Sequence, residues 1–459
     1  MNKYLKYKPS NIPWLGDVPE HWEVRTLRQI LSQVSVKNQP ELPLLSVVRD
    51  KGVIIRNDDN DESDNHNRIP DDLSNYKVVE IGQFAMNKMK AWQGSYGISK
   101  YKGIVSPAYF VFNVVFPNLD FFHYAIRSKV YVACFGQASD GIRVDQWDLS
   151  LQKMKEICFV FPPLAEQTQI VHYLDEKLQK INKLTDAKKK QIELLKEQKQ
   201  AMINEAVRNE WKRLPLKRLL IEPLQYGAND SGVVFNEDLP RYVRITDISS
   251  DGKLKDDEKK SLSNEVARQY LLSEGDVLLA RSGATAGKTF LYETKYGICA
   301  FAGYLIRAKF DKKQLLPKFF IHYTNSSFYE EWKNSIFIQA TIQNISAERY
   351  NYLQIPLPPF AEQQKIVTYL DKKTAKIDTV IEKIEQDISL LGEYRSRLIS
   401  DVVTGKVNVQ VISVDTAAKT DKSRRDDTSL TVGFSLRTDG WTDNTTKNPA
   451  GTTLKTPMP

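Results

Sequence analysis

The chain has 459 residues, and its 65 Lys and Arg against 57 Asp and Glu give a net charge of +8. Hydrophobic residues make up 41% of the chain, which predicts folded cores, and the length allows about three domains. The longest apolar run, 109–116, is far below the ~18 residues of a membrane span, and three Cys without ligand spacing indicate neither disulfides nor zinc. We therefore expect a cytoplasmic multi-domain protein. Its positive charge is compatible with a nucleic-acid partner but does not by itself indicate one.

The sequence of the first half predicts a short N-terminal segment followed by a folded unit. Residues 1–20 form the N-terminal segment, and residues 21–160 form a first unit in which helix and strand patterns mix. Within it, 42–48, 82–88 and 109–116 are β-rich runs typical of strands. A fold of the α+β class follows from this mixture.

Residues 161–209 predict one long helix. Two prolines, Pro162 and Pro163, stand where a helix would begin, since proline is tolerated in the first turn but not in the interior. Glu166 follows early, which suits the positive end of the helix dipole. No helix breaker interrupts the stretch after these prolines.

The second half repeats the first. Residues 210–356 form a second mixed unit, with strands expected in 242–248, 275–283 and 303–310, and residues 357–408 repeat the long helix. The segments 161–207 and 357–403 align without a gap at an offset of 196, and about 19 of their 47 pairs are identical. We interpret this as an internal duplication, with two variable units on two near-constant helices.

Apolar residues at heptad spacing indicate that the two helices pack together as an antiparallel coiled coil. Their first line recurs every seven residues in the second helix, with Leu370, Ile377, Ile384, Leu391 and Leu398. The second line is expected at the following d positions: Leu184, Val380 and Tyr394. Two similar helices in one chain can each bury the other's apolar stripe, and a pseudo-two-fold arrangement places the units at opposite ends.

Two segments of the sequence resemble catalytic motifs but lack a feature that each motif requires. Residues 282–289, SGATAGKT, resemble a phosphate-binding loop, but only three residues separate Gly283 from Gly287, where the motif requires four. The FPPL and LPPF runs lack the Asn or Asp that amino-methyltransferases place before the two prolines. Residues 409–459 are polar and aperiodic, and we expect a disordered tail with no assigned role.

Three segments together carry a family resemblance: IPWLGDVPEHWEVRTL at 12–27, PLAEQTQIVHYLDEK in the first helix, and PFAEQQKIVTYLDKK in the second. The run RITDI followed by EGDVLLARSGATAGK in the second unit adds to them. With these motifs, residues ~12 to ~408 resemble the specificity subunit of type I restriction–modification systems.

The resemblance implies a non-catalytic subunit that recognises double-stranded DNA. Each variable unit would be a target-recognition domain for one half of an asymmetric, bipartite sequence, and the paired helices would set the unread spacer. Two modification (methyltransferase) subunits would dock on the helices, and ATP-dependent restriction subunits would join through them. S-adenosylmethionine, ATP and Mg²⁺ would then belong to the partners, with no cofactor or metal in this chain.

For DNA contact we expect Lys and Arg on phosphates, and Arg, Asn and Gln on base edges. The first-unit candidates are Arg49, Lys51, Lys88, Lys90, Gln93, Lys100 and Arg143. The second-unit candidates are Arg244, Lys253, Arg281, Ser282, Thr285, Lys288, Gln339, Thr341 and Gln343. Trp92 and Tyr96 are candidates either for stacking on a base or for packing their loop.

For partner contact the candidates are the residues that recur identically at the start of both helices. They are Glu166, Gln167, Tyr173 and Asp175, with their copies Glu362, Gln363, Tyr369 and Asp371. The alternative is that these residues cap the helices and pack them on their own units.

Two other functions stay open at this stage. One is a self-contained DNA-modifying or ATP-using enzyme, which a cofactor loop would indicate. The other is an inactive, specificity-like scaffold of helices with inert ends. Steep salt dependence of DNA binding would separate a DNA-binding subunit from the scaffold.

Overall fold

The computed structural model describes residues 2–56, 69–141, 147–208, 211–249, 252–337 and 343–409. The expected tail lies outside the described residues from 410 onward. The fold is mixed α and β with two long helices, as the sequence predicted.

The N-terminal segment and first unit contain fourteen short strands and four helices among the described residues. The strands are β1 (Tyr7–Pro9), β2 (Asp17–Pro19), β3 (Glu23–Thr26), β4 (Leu31–Val34), β5 (Leu45–Val48), β6 (Gly52–Ile55), β7 (Lys77–Val79), β8 (Phe84–Asn87), β9 (Tyr96–Ile98), β10 (Gly103–Val105), β11 (Tyr109–Val114), β12 (Ser139–Asp140), β13 (Asp148–Leu149) and β14 (Cys158–Phe161). The helices are α1 (Leu27–Ile30), α2 (Leu119–Ile126), α3 (Lys129–Gln137) and α4 (Leu151–Lys155).

A four-stranded antiparallel sheet, in the order β4-β11-β8-β9, forms the centre of the first unit. Two of its strands, β8 and β11, fall inside the expected runs 82–88 and 109–116, whereas β4 and β9 lie outside them. The β5–β6 hairpin lies beside it and turns at Lys51-Gly52, where Gly52 has a φ of 74°. The pair β14–β3 closes the unit next to the start of the first long helix.

The second unit contains β15 (Arg213–Pro215), β16 (Gln225–Tyr226), β17 (Val233–Val234), β18 (Arg241–Val243), β19 (Lys260–Ser261), β20 (Val277–Ala280), β21 (Thr289–Leu291), β22 (Cys299–Phe301), β23 (Leu305–Ala308) and β24 (Gln354–Pro356). Four shorter helices accompany these strands: α6 (Asn264–Ala267), α7 (Pro317–Thr324), α8 (Ser327–Phe337) and α9 (Ala347–Asn351). The two long helices are α5 (Leu164–Val207), which precedes this unit, and α10 (Phe360–Val403), which follows it. The strand expected over 242–248 is shorter than predicted, because β18 ends at Val243 and a 3-10 turn follows over Ile245–Asp247.

The element order of the first unit recurs in the second. The sheet β16-β23-β20-β21 is antiparallel and repeats the strand order of β4-β11-β8-β9. The pair β15–β24 repeats β3–β14. Helices α2, α3 and α4 find their counterparts in α7, α8 and α9. The duplication seen in the sequence of the helices therefore extends to the topology of the units.

Helices α5 and α10 have 44 residues each and begin directly after Pro163 and Pro359. A rise of 1.5 Å per residue makes each about 66 Å long. After α10, Gly405 adopts a φ of 77°, the left-handed conformation of a helix C-terminus. A Cβ at this position would stand 2.4 Å from Pro19, so the close approach of the N-terminal segment also requires glycine.

Each long helix joins the cores of both units. The start of α5 is buried in the first core, through residues such as Ile170 and Leu174, and its end is buried in the second core at Val207. Helix α10 runs the other way, from Leu370 in the second core to Val402 in the first. The two helices therefore pack antiparallel between the units.

The contact between the helices differs from the expected heptad in one line of residues. Ile377 and Ile384 are buried as predicted. Between them, however, the buried residue is Ile381 and not Val380, which occupies the d position. Val380 is 41% exposed, Tyr394 45% and Leu184 47%, so all three d-position expectations are wrong. The physical reason is that the buried stripe follows spacings of four and three residues, which places e rather than d against the partner helix.

Candidate nucleic-acid interface and partner surface

A cleft of about 620 Å³ opens in the first unit beside the β5–β6 hairpin. Arg49 and Lys51 stand at the hairpin turn, and Gln93 stands in the loop between β8 and β9; all three line the cleft. The fold thus brings together three of the residues that the sequence predicted for DNA contact. Trp92 lies on the same wall.

Three further cations line this cleft that sequence reasoning missed. Arg127 donates through Nη2 to the carbonyl of Arg49 at 2.7 Å and through Nη1 to the carbonyl of Tyr96. Lys129 follows it at the start of α3, and Arg395 reaches the cleft from α10. Arg127 thereby supports the hairpin turn from below, whereas Lys129 and Arg395 add positive charge. Only the tertiary fold brings Arg395 here, so no local signal could have indicated it.

Three other first-unit candidates, Lys88, Lys90 and Lys100, do not line this cleft. Lys88 forms an ion pair with Asp148 at 2.7 Å, which occupies its ammonium group. Lys90 is half-buried in the same loop, and Lys100 is exposed beyond β9. Arg143 lies outside the described residues.

The two aromatic candidates have different surroundings. Tyr96 is fully buried and its ring centroid lies 4.5 Å from that of Phe135, so it packs the core and does not stack on a base. Trp92 is half-buried and tilts against Trp147 at 5.4 Å. Part of Trp92 therefore remains accessible at the rim of the cleft.

His123 lies beneath the hairpin at the floor of the cleft. Its Nδ1 accepts a hydrogen bond from the backbone N–H of Ile98 at 3.2 Å, which requires that nitrogen to be unprotonated. Burial, with Arg127 and Lys100 nearby, lowers the pKa of His123 from 6.5 to about 4. At neutral pH the imidazole is therefore a neutral part of the structure.

In the second unit, the glycine-containing loop between β20 and β21 is tied to a distant segment. The N–H of Gly283 donates to the carbonyl of Gln343 at 3.2 Å, and the N–H of Ile345 donates to the carbonyl of Arg281 at 2.7 Å. Ser282 and Asn344 pair as an isolated antiparallel β-bridge. The fold thus brings the candidates Arg281, Ser282 and Gln343 together.

Arg281 faces a cleft of about 720 Å³. Its guanidinium carbon lies 5.0 Å above the ring of Tyr226, and its Nε is buried with no hydrogen-bond partner among the described residues. Tyr304, which is 60% exposed, also lines this cleft. A planar donor group held on an aromatic face beside an open cleft is suited to a nucleic-acid ligand.

Arg244 lines the same cleft but is already bonded. It donates to both carboxylate oxygens of Asp247, at 3.1 and 2.7 Å, and to the carbonyl of Glu258 at 2.8 Å. The hydrogen bonds to Asp247 raise the pKa of Arg244. Its main role is therefore to hold this wall of the cleft in place.

The remaining second-unit candidates are dispersed. Thr285 and Lys288 are half-buried within the β20–β21 loop, where the N–H of Lys288 donates to the carbonyl of Thr285 at 3.0 Å. Lys253 is exposed in a separate turn closed against Ser249. The candidates Gln339 and Thr341 lie outside the described residues.

Glu166 and Glu362 occupy the same position in the two long helices but differ in environment. Glu166 is 2% exposed and accepts hydrogen bonds from Trp22 Nε1 at 3.0 Å, from His21 Nε2 at 2.8 Å and from the Tyr4 hydroxyl. The side chain of Glu362 is 39% exposed. Only the second copy is accessible from outside.

Gln167 and Gln363 are fully buried at the starts of the two helices, where their side chains form hydrogen bonds to the backbone. Gln167 donates to the carbonyl of Pro162 at 2.7 Å. Gln363 donates to the carbonyl of Gln314 at 2.8 Å and accepts from the N–H of Leu316 at 2.9 Å. Their contacts are internal to the chain, which is the alternative role that the sequence left open.

The last four candidates for partner contact reach the surface. Tyr369 is 48% exposed, and Tyr173 is half-buried against the first core. Asp175 is exposed and accepts a hydrogen bond from Tyr124. Asp371 accepts from His322 at 2.8 Å and from Lys318 at 3.0 Å, and these contacts lower its pKa.

Across the described residues, no helix is long and apolar enough to cross a bilayer. No group of three or more His, Cys, Asp or Glu in those ranges has the arrangement of a metal site.

Comparisons with known proteins agree with this fold. Residues 236–389 match the family described as "Type I restriction modification DNA specificity domain". The type I restriction enzyme specificity subunits StySPI of Salmonella potsdam and EcoKI of Escherichia coli (strain K12) are each 30% identical, over 149 and 151 residues. Each match covers 31% of this chain and only 31% of the relative.

A solved structure concerned with complex assembly and conformational transition of the type I R-M system shares the fold. It has a TM-score of 0.66 at 16% identity, over 85% of this chain and 99% of that chain. The stretch that resembles the DNA specificity domain thus runs from within the second unit into α10. Over these stretches the chain is therefore similar to type I restriction enzyme specificity subunits, and a type I R-M structure shares its fold.

Proposed function

We propose that this chain recognises an asymmetric, bipartite DNA sequence as the specificity subunit of a type I restriction–modification complex. Each unit would be a target-recognition domain for one half of the target. The observation that carries the proposal is the repeated topology: two units with the same strand order lie at opposite ends of one antiparallel helix pair. Because the units differ in sequence, the two half-sites should differ.

The equivalent loops of the two units would make the DNA contacts. The β8–β9 loop contributes to the basic cleft of the first unit, and the β20–β21 loop contributes Arg281 to the cleft of the second. The cations of the first cleft suit phosphates, whereas an arginine on an aromatic face suits a base edge. Glycines in the second loop permit close approach of a ligand to the backbone.

The helix pair would act as a coiled-coil spacer between the two readers. Helices about 66 Å long, buried in a core at each end, are suited to hold two half-site readers at a fixed separation. Changing the helix length would then change the unread spacer and leave the half-sites unaltered.

The chemistry would belong to partner subunits. Two methyltransferase subunits would dock on the helices, and ATP-dependent restriction subunits would join through them. S-adenosylmethionine, ATP and Mg²⁺ would be bound by those subunits, and this chain would be a non-catalytic recognition component. Tyr369 on α10, which is 48% exposed, is available for such docking.

DNA binding is tested by titrating the full chain with a labelled random-sequence duplex at several salt concentrations. We expect log K to fall linearly with log salt, by about 0.9 for each phosphate neutralised. The variants Arg49→Ala and Lys51→Ala should each reduce the slope by about one. Lys376→Ala, an exposed lysine on α10, is the matched control and should leave the slope unchanged. A salt-independent affinity would contradict the proposal.

A further inference from the structure

The two ends of the helix pair are covered differently. At the first unit, the faces by which the end of α10 and the start of α5 meet are buried: Leu398 is 1% exposed, and Val402, Ile170 and Trp22 are 0% exposed. The same surface at the second unit forms a cleft of about 360 Å³. The duplication therefore gives one filled site and one open counterpart.

The open cleft is built from the counterparts of the covered residues. At the offset of 196 that relates α5 to α10, its lining residues Met202, Ala206, Glu362, Ile366 and Tyr369 correspond to Leu398, Val402, Glu166, Ile170 and Tyr173. Trp211 lines the cleft at the position that the sequence alignment pairs with Trp22.

In the first unit, the N-terminal segment is the cover. The Tyr7 hydroxyl donates to the carbonyl of Gly405 at 3.1 Å, and the N–H of Asn408 donates to the carbonyl of Asn2 at 2.9 Å. Val18 is fully buried in the same core as the end of α10. Residues 2–22 thus dock on the junction of the two helices.

The carboxylates show what the open cleft lacks. Glu166 is bonded by a hydroxyl, an imidazole and an indole, all supplied by residues 2–22. In the part of the chain that the structure describes, the Glu362 carboxylate has one hydrogen-bond donor, Lys365, at 3.2 Å on its own helix. An accessible acceptor beside Trp211 and Ile366 is therefore left for a ligand.

We propose that this cleft, lined by Trp211, Glu362 and Tyr369, docks a segment of a partner polypeptide that supplies aromatic O–H or N–H donors to Glu362. The occupant would reproduce the chemistry that Tyr4, His21 and Trp22 supply at the other end. The inference rests on the proposed role of the chain as one subunit of a larger complex. It makes the two helix junctions unequal: one is closed by the chain itself and the other by a partner.

The test uses a fluorescent peptide of residues 2–22 as the probe, because its sequence satisfies the filled counterpart. The full chain is titrated into the peptide, and anisotropy is recorded. We expect saturable binding that Glu362→Ala weakens at least tenfold, since hydrogen bonds to a charged acceptor are lost. Glu382→Ala, an exposed glutamate in the middle of α10, is the matched control and should bind as the unaltered chain does.

A second variant tests the cleft itself. Ala206→Leu places a larger side chain on its wall without removing the acceptor, and it should also weaken binding; thermal unfolding verifies that each variant is folded. Absence of saturable binding, or binding indifferent to both changes, would overturn the proposal. Self-association of the chain that depends on Glu362 would overturn it too, because a second copy would then be the occupant. Failure here would leave the salt dependence of DNA binding intact, so the two proposals fail separately.

Discussion

Lys199 of α5 donates to both carboxylate oxygens of Asp378 on α10, at 2.7 and 2.8 Å. A second bridge, between Lys188 and Asp387 at 2.8 Å, lies earlier on α5 and later on α10. The two bridges flank the buried isoleucines of the helix contact, such as Ile192 and Ile381. Charge pairing and apolar packing therefore specify the same antiparallel register.

The bridge should contribute to register more than to stability. Asp378 is 44% exposed and Lys199 is 31% exposed, so solvent screens their attraction. A double-mutant cycle with Lys199→Ala and Asp378→Ala, measured by urea unfolding, should give a coupling free energy of about 0.5 kcal/mol. A coupling above about 2 kcal/mol would show that this pair is a main source of stability.

Glu166→Ala should destabilise the chain strongly. It would leave the buried donors of Tyr4 and Trp22 without their acceptor, at a cost of about 3 kcal/mol in the free energy of unfolding. Glu362→Ala, the same change at the equivalent position, should cost less than about 1 kcal/mol because that side chain is accessible. Equal losses in denaturant unfolding would contradict the asymmetry of the two helix junctions.

The low pKa of His123 predicts a loss of stability in acid. Below pH 6.5 the unfolded chain binds a proton at this imidazole, whereas the folded chain does not until about pH 4. Stability from this group is therefore complete above pH 6.5 and declines as the pH falls towards 4. Between pH 8 and pH 5 the decline should be about 2 kcal/mol.

Replacing the imidazole isolates this contribution. In His123→Gln, the difference in unfolding free energy between pH 8 and pH 5 should shrink by that amount. His172→Gln, which alters an exposed histidine, is the control and should retain the pH dependence of the unaltered chain. An unchanged pH dependence in His123→Gln would exclude His123 as its source.

On the proposed function, Arg281→Lys should relax recognition at one position of one half-site. It preserves the charge but removes the planar pair of donors, which is worth about 1–3 kcal/mol of discrimination between bases. In vitro methylation of single-base target variants by the assembled complex measures this. Arg268→Lys, an exposed change in the same unit outside the cleft, should leave discrimination intact. Loss of discrimination in both half-sites would contradict the separate reading of each by one unit.

The long helices and several strands were predictable from local signals. Helices expected over 161–209 and 357–408 are observed at Leu164–Val207 and Phe360–Val403. Paired prolines mark their starts, and a gap-free repeat marks their extent, so neighbouring residues carried the information.

The sites depended on contacts between distant segments. Arg395 reaches the first cleft from α10, and Glu166 is buried by Tyr4 and Trp22 from the beginning of the chain. Neither relationship leaves a spacing signal in the sequence. The wrong d-position expectation for Val380 has a similar cause, since periodicity alone does not decide between neighbouring residues at the edge of an apolar stripe.

The central claim is that two different units, held apart by one helix pair, read two different half-sites. Its most direct test is to co-express this chain with the proposed methyltransferase partner and to map methylated adenines across a host genome by long-read sequencing. The account predicts one asymmetric motif with an unread gap, in which replacing residues 21–160 by another such unit changes one half alone. A continuous or symmetric motif, or a replacement that changes both halves, would contradict it.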